Sequence, residues 1–213
     1  MPILEQWPAL LKGAALTVGL TALATIVGMA LAITCAWIRA YGPLVFRWIA
    51  GAYVEVIRNT PFIIQLFFLF FGLPALGVKL SPLTASCIAL VVNLGAYATE
   101  IVRAGIEATP RGQIEAAQSL AMGRTQIFLH VIVPPALKKV WPALVSQITI
   151  VMLGSAVCGQ ISTEELSFAT NLIQSRNFRA FEAYIVGTAM YLVLAIALRR
   201  VMLWVGRRFL FGR

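Results

Sequence analysis

Glu100 stands inside an apolar run that begins near Pro82 and continues to about Glu107. An ionisable group placed there is costly and faces a cavity or a partner. Arg103 follows at i+3, and Glu107 lies four residues after Arg103, which makes a charged ladder on one helix face. Asn93, Tyr97 and Glu100 share a face at i, i+4 and i+7. Two readings stand side by side. In one, Glu100 pairs with Arg103 near a membrane interface and supports structure. In the other, these groups line a polar path on which the Glu100 carboxylate meets an α-ammonium group. Gln65, Gln147 and Ser155 extend either reading, as path lining or as hydrogen bonds between helices.

Bond-breaking chemistry is poorly provided for. The chain has one His (His130), no Asp, and three Cys, all within apolar stretches. A nucleophile with its base, or a metal triad, is hard to assemble from that set. No Gly-x-x-x-x-Gly-Lys-[Ser/Thr] run is present, so ATP phosphates are not cradled that way. The formal net charge is +9, but the basic residues sit between long apolar runs and form no polar face for nucleic acid.

The elements that must position these groups are membrane helices. Of the 213 residues, 60% are hydrophobic and 12% charged, about half the charge of an ordinary soluble domain. Helices of about 20 apolar residues cross the hydrocarbon core. The charge-poor runs predict five of them, at about 14–37, 57–73, 82–107, 140–160 and 183–203. The first is too long for the core of a cleaved signal and reads as a retained span. The fifth gains length if Arg199 and Arg200 snorkel to the headgroups. Trp37, Trp48, Trp141 and Trp204 fall near the ends and read as interfacial anchors.

Five crossings put the termini on opposite sides. With the N-terminus outside, thirteen Lys and Arg lie on the inner side, Arg213 among them, against four outside (Lys12, Lys79, Arg176 and Arg179). The positive-inside rule then gives N-out, C-in. Segment 38–58 is an inner loop, 74–81 a short outer turn, 161–182 a longer outer loop and 108–139 a long inner stretch. The chain shows no internal repeat.

The inner stretch reads as two short helices. Thr109-Pro110 is a start signal, with a capping hydroxyl and Pro at the first helical position. Ile114, Ala117 and Ala121 recur at helical spacing, and Gly123 supplies a stop. Thr125 caps a second start, whose apolar stripe of Ile127, Phe128 and Val131 closes at Pro134-Pro135.

Glu115-Ala116-Ala117, a small residue at Ala121, then Val131, Val133 and Pro134 resemble the EAA loop of ATP-binding-cassette (ABC) importer permeases. Ala121 stands where Gly is usual, which weakens the case for a sharp bend, and Val131 and Val133 replace Ile and Leu. Arg58-Asn59-Thr60-Pro61 with Gln65 to Pro74, and the run Ala96 to Ile106, resemble the polar amino acid branch of that family. The similarity covers roughly residues 14 to 205. A Lys-Asp-[Thr/Ser]-Ser run common in the fourth helix of members is replaced by Leu153-Gly154-Ser155-Ala156, which removes any charged specificity group there.

The resemblance implies an all-α integral membrane protein, a single permease domain of the type I importer fold, in the bacterial inner membrane. It implies one half of a two-fold membrane dimer, homo- or heterodimeric. Two separate ATPase subunits would bind the ATP, and an extracytoplasmic solute-binding protein would deliver polar amino acids or similar solutes. Nothing in the resemblance calls for a cofactor on this chain. Glu115, Ala116, Ala117, Ala121 and Gly123 would then be the ATPase-coupling residues, with Glu115 capping its own helix or pairing with a basic group. Gln65, Asn93, Tyr97, Glu100, Gln147 and Ser155 remain the candidates for the path. The competing expectation is a secondary transporter or channel that needs no ATPase. It would use the intramembrane Glu and Arg for ion coupling, but five helices give no inverted repeat.

Overall fold

The computed structural model describes residues 6–210, all helix and connecting turns with no strand among them. Arg213 of the charge count lies outside the described residues.

α1 (Trp7–Tyr41) opens with Pro8 in its first turn and ends at Gly42-Pro43. It therefore extends past the expected 14–37, because backbone hydrogen bonding continues beyond the point where Lys12 and Arg39 reach polar surroundings. Pro43 is the N-cap of α2 (Leu44–Arg58), so most of the expected inner loop is helix.

The expected second span, 57–73, is divided. α2 stops at Asn59, whose side-chain amide caps the last turn through the Glu55 carbonyl at 2.8 Å. Pro61 then denies Thr60 a helical conformation. The chain resumes as α3 (Phe62–Phe67), continues as a π-turn (Phe68–Gly72) and a 3-10 turn (Leu73–Leu76), and closes at Gly77 with φ 84°. The axes before and after the break differ by 109°. α2 therefore runs roughly across the direction of the span that follows it.

α4 (Pro82–Glu107) matches its expected bounds. The Ser81 hydroxyl accepts from Thr84 N–H at 3.1 Å and Pro82 fills the first helical position. α4 is the axis of the fold, and its small buried residues let α1 and α7 approach closely. A Cβ on Gly95 would lie 2.7 Å from Leu31 of α1, and one on Gly105 would lie 3.0 Å from the Ala136 carbonyl of α7. The main core joins α1, α4 and α7 through Leu20, Leu94, Val102, Leu144 and Ile148.

α5 (Arg111–Ser119) and α6 (Arg124–Gln126) follow, and a six-residue π-segment (Ile127–Ile132) leads straight into α7 (Val133–Gly154). Pro134 and Pro135 therefore do not close a helix. They sit in the first turn of α7, directly after the π-segment. A 3-10 turn (Ser155–Ile161) ends this span, and the expected outer loop contains α8 (Leu166–Asn177). α9 (Ala180–Val205) packs along the edge, with Leu192, Val193, Ile196 and Val201 exposed. In lipid those side chains need no cover. Among the described residues, four helices are long and apolar enough to span, or five when the bent pair of α2 and the α3 segment counts as one.

Trp141 departs from expectation. It is buried, and its indole N–H donates to the Met202 carbonyl at 3.0 Å, so it holds the end of α9 to α7 and anchors nothing at an interface. Trp48 and Trp204 are exposed.

Candidate functional site

Glu100 on α4 is held by three arginines. Arg39 of α1 ion-pairs with its Oε1, while Arg103 bonds Oε2 at 3.0 Å and Arg58 approaches Oε2 at 3.9 Å. The carboxylate is 16% exposed and Arg39 23%. Arg103 also pairs with Glu107, as the ladder predicts. The expected Glu100–Arg103 pair is present, and the two further arginines leave no carboxylate oxygen open.

Beside this cluster the polar face of α4 fastens the α2–α3 break. The Tyr97 hydroxyl donates to the Arg58 carbonyl at 3.3 Å, and the Arg58 guanidinium lies 5.6 Å from the Tyr97 ring centroid. Asn93 donates to Gln65 Oε1 at 3.1 Å. Gln65 in turn donates to the carbonyls of Ile57 at 2.7 Å and Thr60 at 3.0 Å, both left without helical partners by the break. Gln65, Asn93, Tyr97 and Glu100 thus come together. Gln147 and Ser155 do not join them. Ser155 is buried and donates to the Met152 carbonyl at 2.7 Å. Gln147 is half-buried and its amide has no side-chain partner among the described residues. Arg39 and Arg58 were not among the sequence candidates, since their link to Glu100 spans helices.

The inner stretch is built differently from its sequence reading. The N-cap of α5 is Pro110, and the Thr109 hydroxyl points back to the Gly105 carbonyl at 3.5 Å. The helix is stopped by Ala121, which adopts φ 55°. Ala121 N–H bonds the Gln118 carbonyl at 2.9 Å and Met122 N–H bonds the Ala117 carbonyl at 3.3 Å. That pair is the Schellman closure, usually given to Gly. The bend that alanine made doubtful is therefore present. Gly123 is the N-cap of α6, not a stop, and Gln126 Oε1 accepts from its N–H at 2.9 Å, so Thr125 is not the cap.

Ala117 is buried with Ile127 and Ile132, against Ile106, Ile114, Met122 and Val131. This small cluster seats α5 at the end of α4. Glu115, Ala116, Ser119 and Leu120 face outward, Leu120 being 77% exposed. The Glu115 carboxylate neither caps α5 nor pairs with a base among the described residues.

At the opposite end Glu165 is wholly buried. It is the N-cap of α8, accepting from Ser167 N–H at 2.9 Å and Phe168 N–H at 2.8 Å, and it receives the Tyr191 hydroxyl of α9 at 2.5 Å. Burial pushes this carboxyl above the ordinary range, against the lowering pull of these donors. Thr17 of α1 accepts from Leu166 N–H at 3.2 Å. A Cβ on Gly13 would lie 2.9 Å from Leu166 Cα, so only glycine lets α1 sit this close. Sequence reading took this stretch for loop; the signal it offered was a Glu directly ahead of a helical apolar pattern.

Residues 24–211 match the family described as the binding-protein-dependent transport system inner membrane component. The probable glutamine ABC transporter permease protein GlnM of Bacillus subtilis (strain 168) is 35% identical over 184 residues, 84% of each chain. The L-cystine transport system permease protein TcyB of the same strain is 34% identical over 203 residues, 95% of this chain and 87% of that one. The glutamine transport system permease protein GlnP of Escherichia coli (strain K12) is 30% identical over 207 residues, 95% and 94% of the two chains. Among solved structures, a crystal structure of an amino acid ABC transporter with histidines superposes with a TM-score of 0.87 at 33% identity, covering 97% of both chains. The MetNI methionine ABC transporter, inward facing, shares the fold with a TM-score of 0.75 at 21% identity over the whole of both chains.

A helical, membrane-embedded transport component is the class that this fold defines. The chain belongs to the binding-protein-dependent transport system inner membrane component family, and it is a multi-pass permease of the inner membrane, as the sequence motifs led one to expect.

Proposed function

We propose that this permease forms one half of the path of an importer for polar amino acids, driven by separate ATPase subunits. The carrying observation is the outward face of α5, where Glu115 lacks a side-chain partner among the described residues and Leu120 is 77% exposed, on a helix seated at the end of α4. A short helix with one face packed and the other unmatched suits a groove on a partner. Two ATPase subunits, a second permease and an outer solute-binding protein complete the assembly, with ATP held by the ATPases and no cofactor on this chain. Ala116 lies in the docking face, Ala117 seats the helix, and Ala121 and Gly123 shape its exit. The charge asymmetry supports N-out, C-in.

The glutamine, L-cystine and arginine permeases among its relatives support an amino acid as solute. Gln65, Asn93 and Tyr97 border the path at the α2–α3 break. Glu100 organises its arginine-rich end through Arg39, Arg58 and Arg103, and Gln147 offers an unmatched amide to the solute. Ser155 shapes the end of α7.

The test is Glu115→Lys in the assembled transporter. Membrane insertion and amounts should match wild type, while uptake falls and ATP hydrolysis no longer responds to solute. Undiminished uptake would remove the coupling role. Uptake by the purified chain in vesicles without any ATPase would favour the secondary-transporter reading.

A further inference from the structure

α2 and the arginine-bearing ends of α1 and α4 enclose an open cleft of about 570 Å³. Its walls carry Arg39, Arg47, Arg103, Glu55 and Glu107, and Leu44, Trp48 and Gly51 line the rest. Most of these charges are already matched. Arg39 and Arg103 hold Glu100, and Glu107 is bonded to Arg103. Arg47 has no side-chain partner among the described residues, and Glu55 has only the neutral amide of Asn59, at 2.9 Å. One cation and one anion therefore remain open toward the same space.

They also share a helix face. Arg47, Gly51 and Glu55 fall at i, i+4 and i+8, about 12 Å from end to end along the axis. Gly51 leaves a notch between them, for a Cβ built there meets nothing within 4 Å. The flanking surface is apolar: Leu44, Val45, Phe46, Trp48 and Ile49 are all exposed. A helix with such a face, turned 109° from the span that follows it, is suited to the headgroup region with its apolar side in the acyl chains. Trp48, 73% exposed, is suited to that depth.

We infer that this cleft binds the headgroup of a membrane phospholipid carrying a phosphate and a primary ammonium, as in phosphatidylethanolamine. The phosphate meets the Arg47 guanidinium, the ammonium meets the Glu55 carboxylate, and the headgroup lies over Gly51. A purely anionic head would set its charge against Glu55. A quaternary ammonium has no N–H to donate to that carboxylate. The α2 apolar face selects a lipid over a soluble zwitterion. The site depends on membrane embedding alone and stands whether or not α5 couples to an ATPase.

The test is native mass spectrometry of the full-length chain, in the complex with which it purifies, given equal phosphatidylethanolamine, phosphatidylcholine and phosphatidylglycerol. Phosphatidylethanolamine should be retained over the others by about fivefold, a preference of about 1 kcal/mol. Gly51→Leu, whose Cβ would meet nothing within 4 Å and whose side chain occupies the notch, should erase that preference. Gly19→Leu, at another glycine with open space around it, should not. Three results would overturn the site: equal retention of the three lipids, identical behaviour of the two glycine variants, or soluble phosphoethanolamine binding as tightly as the lipid. A photo-crosslinker at Ala52 that captures a protein subunit in membranes would also overturn it.

Discussion

Arg39 and Glu100 are ion-paired across the α1–α4 contact although 61 residues separate them in the chain. Both are mostly shielded, at 23% and 16% exposure, so the pair resists screening better than a surface bridge. Removing only the acid leaves three guanidinium groups close together, of which Arg103 alone keeps an acidic partner, Glu107. Glu100→Gln should therefore destabilise the detergent-solubilised protein by about 1–3 kcal/mol, and Arg39→Met by less, since Arg58 and Arg103 keep the carboxylate matched. A double-mutant cycle on thermal unfolding measures the coupling, which should be non-zero and salt-insensitive.

Ala121 holds φ 55°, a conformation that costs an L-residue roughly 1 kcal/mol and costs glycine little. Ala121→Gly should leave the α5 turn in place and stabilise the inner stretch by up to about 1 kcal/mol, less the added entropy of the unfolded chain. Ala121→Val should loosen it. Hydrogen exchange at Met122 N–H, which closes the turn, reads both effects.

Much of this was legible in the sequence, and the pattern of success has a physical reason. The ends of α4 and the spacing of the Glu115 to Pro134 stretch are local facts, written in caps and in residue intervals. The three-arginine setting of Glu100 is not local, since Arg39 and Arg58 reach it only after α1, α2 and α4 pack. The break at Asn59–Pro61 carried its proline in plain view. Charge-free spacing nonetheless starts the second span at about 57 and leaves 38–58 as a loop, because apolarity reports burial in lipid and not the amphipathic helix ahead of the break. Thr109 and Gly123 were assigned cap roles one or two residues from where backbone geometry puts them, an error inherent in reading ends from residue type alone.

Glu165 gives a pH signature. Its folded-state carboxyl titrates above the ordinary range because it is buried, so the folded protein retains this proton at pH values where the unfolded chain has lost it. This contribution therefore favours folding at low pH. It is lost as pH rises from the ordinary carboxylate range, near 4.3, to the raised folded value. Glu165→Gln should flatten that dependence of the melting temperature. Glu165→Leu should lower stability by about 2 kcal/mol or more at every pH, because the Ser167 and Phe168 N–H groups lose their acceptor.

Gln147 and Ser155 separate a solute contact from a structural one. Gln147→Leu should raise the uptake KM by about tenfold while leaving the stability within about 0.5 kcal/mol of wild type, since its amide has no side-chain partner to lose among the described residues. Ser155→Ala should do the reverse, costing about 1 kcal/mol of stability through the lost bond to the Met152 carbonyl and leaving KM unchanged.

The π-segment Ile127–Ile132 joins the short helices to α7 without a loop. One residue gained or lost in a helix rotates everything after it by about 100°. The wide turn therefore acts as a phase setter: it fixes which stripe of α7 meets α4 and which faces away. Even a conservative one-residue deletion within 127–132 would misalign the next 22 residues at once, whereas substitution there need disturb only its own site.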